Sequence, residues 1–466
     1  MQNMTSGRPL SLIVKFAVPL LISNFFQQLY SISDILLVGR LVGVKALAAV
    51  GACAPLFFFL VVVSIGFTNG LTVITAQSFG AKNFVLMKKS VAVAVILSLS
   101  FTAVFSLVMF FLMDDILNIM NVPQDIFNET KSFMNIICAG VIMIVAFNLM
   151  SGFMRALGDS KTPLYFLIFT TIINIGLNII FIYFLNMGVK GSALGTVVAM
   201  SIASLCCFMY MRKKFALLFP HGNQWRISSK MCRSHLAIAI PMAIQFSIIA
   251  LSAAVSQTIC NNFGYATIAA MTAAMRIEQL AAQPMVSFGV AMSTYVAQNY
   301  GARRIARIRR GVFECSLVSL GLSIVLAIAV FAFGRKAAGI FVPDNEPQIT
   351  SEVIDMAVTY LNITIVFYFF LGQIFIFRNS CQGMGNSVIP MISSSVELIM
   401  RVFAAIYLTS MFGYTGLCYA SPLAWIGGAA VVSFGYFSTI RKINRNLQGN
   451  RERAFNPDID IYKQKL

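Results

Sequence analysis

The chain alternates long apolar stretches with short polar breaks from end to end. Twelve stretches are long enough to cross about 30 Å of hydrocarbon as helices. They lie near residues 10-38, 46-72, 88-112, 132-154, 162-185, 191-211, 235-260, 267-292, 311-334, 352-377, 388-410 and 414-438. The pattern predicts an all-α polytopic membrane protein, because in lipid a single segment satisfies its own backbone only as a helix. Six stretches precede and six follow the break at 212-234. That break carries Pro220, Gly222 and several charges, the composition of a linker rather than of a domain.

The polar breaks also repeat. Gln77-Ser78-Phe79-Gly80-Ala81-Lys82 returns as Gln298-Asn299-Tyr300-Gly301-Ala302-Arg303. Pro19 is matched by Pro241, Val42-Gly43-Val44 by Phe263-Gly264-Tyr265, Val122-Pro123 by Val342-Pro343, and Gly158-Asp159-Ser160 by Gly385-Asn386-Ser387, all in the same order. One duplication explains the set. Because six is even, both halves enter the membrane in the same sense, which makes them parallel repeats about a pseudo-twofold axis normal to the bilayer. The expected organisation is an N-terminal lobe at 1-211 (spans 1-6), a cytoplasmic linker at 212-234, a C-terminal lobe at 235-440 (spans 7-12) and a cytoplasmic tail at 441-466. A duplicated membrane bundle with a cleft between its halves suits a transporter.

Composition fixes the solvent. With 58% hydrophobic and 11% charged residues, the chain needs a bilayer. The formal charge of +18 is spread over membrane-flanking loops, so its expected partners are anionic lipid headgroups and not nucleic acid. Sorting loops alternately to two sides puts 26 of the 34 Lys and Arg on one side, Arg155 and Arg378 among them. Both termini are therefore expected in the cytoplasm. The acidic loops 114-129 and 344-355 fall on the outer side. The first apolar run is needed to complete the first repeat, so it is expected to stay as a span and not to be a cleaved signal. The nine cysteines form neither a disulfide framework nor a metal motif, and His221 and His235 fall in the linker region.

Three carboxylates remain at membrane depth: Asp34, Glu278 and Glu397. A charge there costs about 2.5 to 3.5 kcal/mol on insertion scales and marks an ion path or a buried pair. Asp34 shares a helix face with Ser31 and with Gln27 and Tyr30, which are expected to line the substrate cavity, and has no basic residue one turn away, which points to a group that takes up a proton or, with neighbouring oxygens, a sodium ion. The other reading is a carboxylate near the outer interface, close to Gly39-Arg40. Asn174 and Asn178 stand four apart on span five and Thr196 follows on span six. They read either as further oxygen ligands, with Na⁺ held by Asp34, Asn174 and Asn178, or as interhelical hydrogen-bond glue. Glu397 and Arg401, four apart in the favourable order, are expected to form a structural intrahelical ion pair. Glu278, with Gln279 and Gln283 nearby, is expected either as a second titratable group in the other half's cavity or as one end of an interhelical pair. The 25 Met and 41 Phe read mainly as packing and lipid-facing residues, with some lining the cleft.

Several segments together resemble the multidrug and toxic compound extrusion (MATE) family. They are Tyr30-Ser31-Ile32-Ser33-Asp34-Ile35-Leu36-Leu37-Val38-Gly39-Arg40, the element from Gly66 to Ala81, Arg155-Ala156-Leu157-Gly158-Asp159-Ser160-Lys161-Thr162-Pro163, and Met187-Gly188-Val189-Lys190-Gly191-Ser192-Ala193-Leu194-Gly195-Thr196. The resemblance covers the chain through about residue 440. It implies a two-lobed, twelve-helix secondary antiporter of the bacterial inner (cytoplasmic) membrane that exports cationic amphipathic compounds in exchange for H⁺ or Na⁺, with no enzymatic cofactor. The family's first-span acidic residue matches Asp34 and its polar cluster matches Asn174, Asn178 and Thr196. Asn178 departs from the Asp that many bacterial members have there. Arg276-x-Glu278 is similar to an Arg-x-Asp/Glu of related bacterial members. A monomer is the expectation, since the cleft lies inside one chain. A flippase for lipid-linked sugars is the alternative, for which a more cationic cavity is expected. A membrane enzyme lacks its nucleophile or metal cluster, and a channel lacks polar pore rings.

Overall fold

The computed structural model describes residues 3–261, 263–341 and 347–455; the Val342-Pro343 landmark lies outside them. Among the described residues all regular structure is helical. The N-terminal lobe holds α1 (Pro9–Leu41), α2 (Val44–Gly80), α3 (Phe84–Phe111), a short α4 (Met113–Ile119), α5 (Gln124–Ala156), α6 (Lys161–Ile179) and α7 (Gly188–Lys214). The C-terminal lobe holds α8 (Ser229–Asn261), α9 (Tyr265–Gly301), α10 (Ile305–Phe341), α11 (Pro347–Val366), α12 (Tyr368–Gly383), α13 (Val388–Cys418) and α14 (Ala420–Phe455).

Each of the twelve predicted spans falls in one helix or helix pair, but two depart from the expected form. Span ten is broken, α11 and α12 meeting at 52°. Among the described residues ten helices are long and apolar enough to cross a membrane, or eleven with that pair counted as one. The twelfth, α9, has the length of α2 but carries Arg276, Glu278, Gln279 and Gln283 in its middle, and its buried face packs on α11 and α12. The predicted break at 411-413 coincides with a sharp kink at Gly413, which takes φ 57°, and beyond it Gly416 comes back against the Leu408 carbonyl. The chain doubles back there, so the break between spans eleven and twelve falls where it is expected, and α14 runs helical through Phe455 into the predicted tail.

The duplication is geometric as well as sequential. Helix α1 packs on α6 as α8 does on α13, α2 on α5 as α9 on α12, and α5 on α7 as α12 on α14. Lys82 and Arg303, in equivalent places, both take a left-handed φ, 56° and 57°. Between lobes the contacts are reciprocal: α1 crosses to α9, α8 crosses to α2, and α2 meets α9. The ends of α2, α5, α7, α9 and α12 share one face with the 212-228 segment, here called the linker face.

At that face the repeated Gln-x-x-Gly elements interlock. A Cβ on Gly80 would lie 1.9 Å from the Gln298 carbonyl oxygen, and one on Gly301 1.8 Å from that of Gln77, so only glycine permits this approach. The glutamines cross in the same way. Gln77 Nε2 donates to the Gly383 carbonyl at the end of α12, and Gln298 Nε2 to the Ala156 carbonyl at the end of α5, each at 2.9 Å. The N-terminal segment is held there too: the buried Met4 donates its amide to Gln298 Oε1 at 2.9 Å, and its carbonyl accepts from Asn299 at 3.1 Å. Asn24 to Ser287 is a further link, at 3.1 Å. Toward the opposite face Gln27 and Ser31 of α1 and Arg276 and Gln279 of α9 are exposed. The lobes are thus joined at the linker face and part beyond it.

Candidate functional site

In the N-terminal lobe, α1, α6 and α7 bring Asp34, Asn174, Asn178 and Thr196 together. Asp34 Oδ1 accepts from Asn178 Nδ2 at 2.7 Å and from Ser192 Oγ at 2.8 Å. Asn178 Nδ2 also donates to Asn174 Oδ1 at 3.3 Å, Asn174 Nδ2 to Thr196 Oγ1 at 3.3 Å, and Tyr30 Oη to the same Thr196 oxygen at 3.2 Å. One chain of hydrogen bonds therefore runs from Tyr30 to Asp34 across three helices. Both asparagines are fully buried, whereas Asp34 is half-buried and forms no ion pair among the described residues.

The local backbone explains the fit. Small residues on α7 let α6 approach: a Cβ at Gly195 would meet Asn178 Oδ1 at 2.0 Å, and one at Gly191 would crowd the Phe181 backbone at 3.1 Å. Just after Asn178 the α-helix loosens into a π-turn at Ile180–Phe184, a device frequent at functional sites. The asparagine oxygens do not converge on Asp34. Asn178 turns its carbonyl oxygen onto Gly195, where it has no hydrogen-bond partner, and Asn174 spends its own on Asn178. Tyr30, expected among the cavity residues, belongs to this network. Gln27 is exposed and outside it. Ser192 was missed, although it sits one turn before Thr196 and so shares its helix face.

The C-terminal lobe holds the other charges in a different pattern. Glu278 Oε2 accepts from Tyr360 Oη of α11 at 2.6 Å, and Arg401 lies close enough to act on it electrostatically. Arg401 Nη1 donates to Ser421 Oγ at 3.0 Å. Gln279 and Gln283 are not part of this contact; Gln283 Nε2 bonds back to the Gln279 carbonyl at 3.2 Å.

The expected Glu397–Arg401 pair is therefore corrected. Glu397 pairs with Arg378 of α12, is bonded by Ser393 Oγ at 3.2 Å, and packs against Gly428 of α14. The intrahelical pair is worth only about 0.2–0.5 kcal/mol, so a better-buried partner from a neighbouring helix displaces it. Arg378, assigned to a loop by the charge count, is 5% exposed inside the bundle. Arg155, likewise counted as a loop residue, donates from α5 to Asn69 Oδ1 at 3.1 Å. With both removed, the charge asymmetry still favours the same side. His235 is also corrected from linker to core: it is fully buried in α8, with Nε2 2.8 Å from Ser90 Oγ and Nδ1 2.9 Å from the Met231 carbonyl.

A duplicated helical membrane bundle whose lobes join at one face and part at the other, with a carboxylate network beside the gap, is a membrane transporter and not an enzyme. The MatE family model matches residues 19–180 and again 241–407, once per lobe, and the chain belongs to that family, the multidrug and toxic compound extrusion transporters. It is 28% identical over 386 residues to the probable multidrug resistance protein YoeA of Bacillus subtilis, covering 81% of this chain and 82% of that protein. It is 25% identical to the probable multidrug resistance protein NorM of Thermotoga maritima, over 91% and 89% of the two chains. Among solved structures, MATE in the bent conformation superposes with a TM-score of 0.87 at 20% identity, over 95% of this chain and 98% of that one. An outward-facing MATE multidrug resistance transporter gives 0.86 at 21%, over 95% and 98%.

Proposed function

We propose that this chain is an antiporter that exports cationic amphipathic compounds in exchange for a proton taken up at Asp34, by alternating access of its two lobes. The observation that carries the reading is the donor set on Asp34. Two hydrogen-bond donors meet on Oδ1, Oδ2 accepts no hydrogen bond among the described residues, and no amide oxygen is aimed at the carboxylate. Donors on one oxygen stabilise the anion while leaving the other free for a proton. A sodium ion needs several converging oxygens, which here requires Asn178 to turn its amide over.

In the mechanism a cationic compound enters the cleft while Asp34 is charged. Protonation removes that charge and weakens its hold on Asn178 and Ser192. Because α1 runs from Asp34 to the Asn24–Ser287 bond and on to the Met4 socket, a change at the carboxylate reaches the joined face along one helix. Compound and proton thus oppose each other through a coupling that is necessarily reciprocal. On this reading the linker face and both termini are cytoplasmic, residues 1-211 and 235-440 are the moving bodies, and the protein works as a monomer. The flippase reading is not favoured, since the relatives matched over most of their length are named for multidrug resistance and export.

The test is efflux of a fluorescent cationic dye from proteoliposomes under an imposed pH gradient or an imposed sodium gradient, with wild type and Asp34→Asn in parallel. Efflux driven by the pH gradient alone and lost in the variant is the expected result. Efflux driven by sodium alone replaces the proton with Na⁺ at the same site, and an unaffected variant removes Asp34 from coupling and moves attention to Glu278.

A further inference from the structure

The two lobes differ at one place where the duplication predicts likeness. In the N-terminal lobe the chain leaves α7 and tucks Phe215 and Leu218, each 1% exposed, into the cluster formed by Met87 and Val91 of α3 with Cys207 and Met211 of α7. The 3-10 turn Ala216–Leu218 that carries Leu218 packs on both helices. The side chains of the linker thus fill the space between α3 and α7. In the C-terminal lobe α14 continues as a helix past Ile440 to Phe455, and no turn of chain folds back beside it there among the described residues. The space between α10 and α14, with α12 as its floor, is left as a cavity of about 1050 Å³. That exceeds the usual small-molecule pocket of about 300–1,000 Å³.

The lining describes an occupant. Phe370 and Phe377 of α12 and Phe437 of α14 make the walls apolar. Two polar groups set among them are buried and without a partner: Gln373 Nε2, in a residue 6% exposed, and Tyr436 Oη, in one 2% exposed. A buried donor is satisfied in nearly every native structure, so both point to a ligand that brings acceptors. At the linker-face rim stand Arg309, Arg310 and Arg441. Arg310 is committed to Glu314 at 2.7 Å, while Arg309 and Arg441 form no ion pair among the described residues. Two cations at the end of an apolar slot that runs into the membrane match one chemistry: a phosphate headgroup above acyl chains.

We infer that this groove is a binding site for an anionic phospholipid of the leaflet at the linker face, with its phosphate at Arg309 and Arg441, its ester oxygens at Gln373 and Tyr436, and its chains against the phenylalanines. The site lies on the outer surface of one lobe, away from Asp34 and Glu278, and is distinct from the cleft of the proposed transport path. It has a structural consequence. The groove is lined on α12 by Phe370, Gln373 and Phe377, Arg378 follows about a quarter-turn round the same helix, and that helix ends at Gly383, which takes the Gln77 bond. Lipid in the groove supports the helix that closes the linker face.

Native mass spectrometry of the full chain, released from detergent after equilibration with phosphatidylglycerol or with phosphatidylcholine, tests this. The expected result is one phosphatidylglycerol retained at least tenfold more than phosphatidylcholine, lost in the double variant Arg309→Gln/Arg441→Gln. It is lost also in Ser433→Phe, which blocks the groove and keeps both arginines. Thermal midpoints without lipid confirm that both variants fold, and Lys88→Gln/Lys89→Gln, at the equivalent rim of the filled lobe, should retain the lipid. Equal retention of the two lipids, or retention unchanged in both groove variants, overturns the assignment. So does lipid binding that appears only after truncation at residue 445, which would make the chain's own tail the occupant.

Discussion

Alanine at Gly80 or Gly301 should open the linker face from both sides at once. The new Cβ would start 1.9 or 1.8 Å from a carbonyl oxygen of the other lobe, against a practical minimum of 3.0 Å, so the lobes must separate by at least about 1.1 Å. The two crossing glutamine bonds, now 2.9 Å, would then approach 4 Å and cease to be hydrogen bonds. Overpacking of about 1–3 kcal/mol and two bonds of about 0.5–1.5 kcal/mol each give about 2–6 kcal/mol against the closed arrangement. At 1.4 kcal/mol per decade, the low end alone shifts the open-to-closed ratio about 30-fold. Hydrogen exchange read by mass spectrometry reports this without labels, through peptides covering 77–83, 298–304 and the N-terminal segment 3–8. Faster exchange is expected in all three for either variant. Gly51→Ala is the control, since nothing lies within 4 Å of the Cβ it would create. Exchange that rises only in the half carrying the substitution, or in neither, would refute the interlocking.

Other expectations follow from the two lobes. Gly195→Ala, with its Cβ 2.0 Å from Asn178 Oδ1, should push the amide off Asp34 and cut proton-driven dye efflux at least tenfold with little loss of folded protein; wild-type efflux would sever the network from transport. Arg378→Met and Glu397→Leu should each lower the thermal midpoint sharply, as a lone buried charge costs about 3–5 kcal/mol, while the double variant recovers most of the loss. Additive losses in that cycle would mean that the two side chains do not act as a pair. Leu218→Ala should destabilise by about 2–5 kcal/mol, measured as a fall in the detergent-solubilised midpoint. A null effect there would mean that the linker does not plug the α3–α7 gap.

The helices were readable because the bilayer imposes one length and one composition, and the duplication allowed each half to check the other. What escaped the sequence was partner choice. Glu397 and Arg401 satisfy a local rule, yet Arg378, a distant residue brought in by α12, takes the carboxylate, and no one-dimensional spacing reports that. His235 follows a polar linker and reads as part of it; only the packing of α8 on α2 and α3 buries it beside Ser90. The repeated Gln-x-x-Gly elements were visible from the start as landmarks. That each lies against the other, rather than performing the same task in its own lobe, needed the crossing of α2 and α9. The Asp34 group was readable as a polar face, and Ser192 was within reach of the same reasoning. The orientation of the asparagine amides was not, because it depends on a glycine of α7.

Duplication followed by divergence separates mechanical parts from chemical ones in this chain. The parts that retain the pseudo-twofold relation are the helix packing, the left-handed Lys82 and Arg303, and the crossed glutamines, all of which shape or close the bundle. The charged groups do not retain it. Counted from the matching prolines, Asp34 corresponds to Ser256, and Gln27 to Ile249, so α8 has no carboxylate where α1 carries one. The C-terminal lobe keeps its membrane-depth acids on α9 and α13 instead, partnered by Tyr360 and Arg378. The Arg378 cation holds Glu397 in an ion pair and fixes a structure, whereas Asp34, with no ion-pair partner among the described residues, is open to exchange of an ion. If both lobes moved as equivalent engines, both would need an exchangeable site. On the proposed mechanism the symmetric parts let either lobe swing against the other, and the asymmetric carboxylate puts the ion's control on one helix, α1, whose N-terminal extension reaches the joined face.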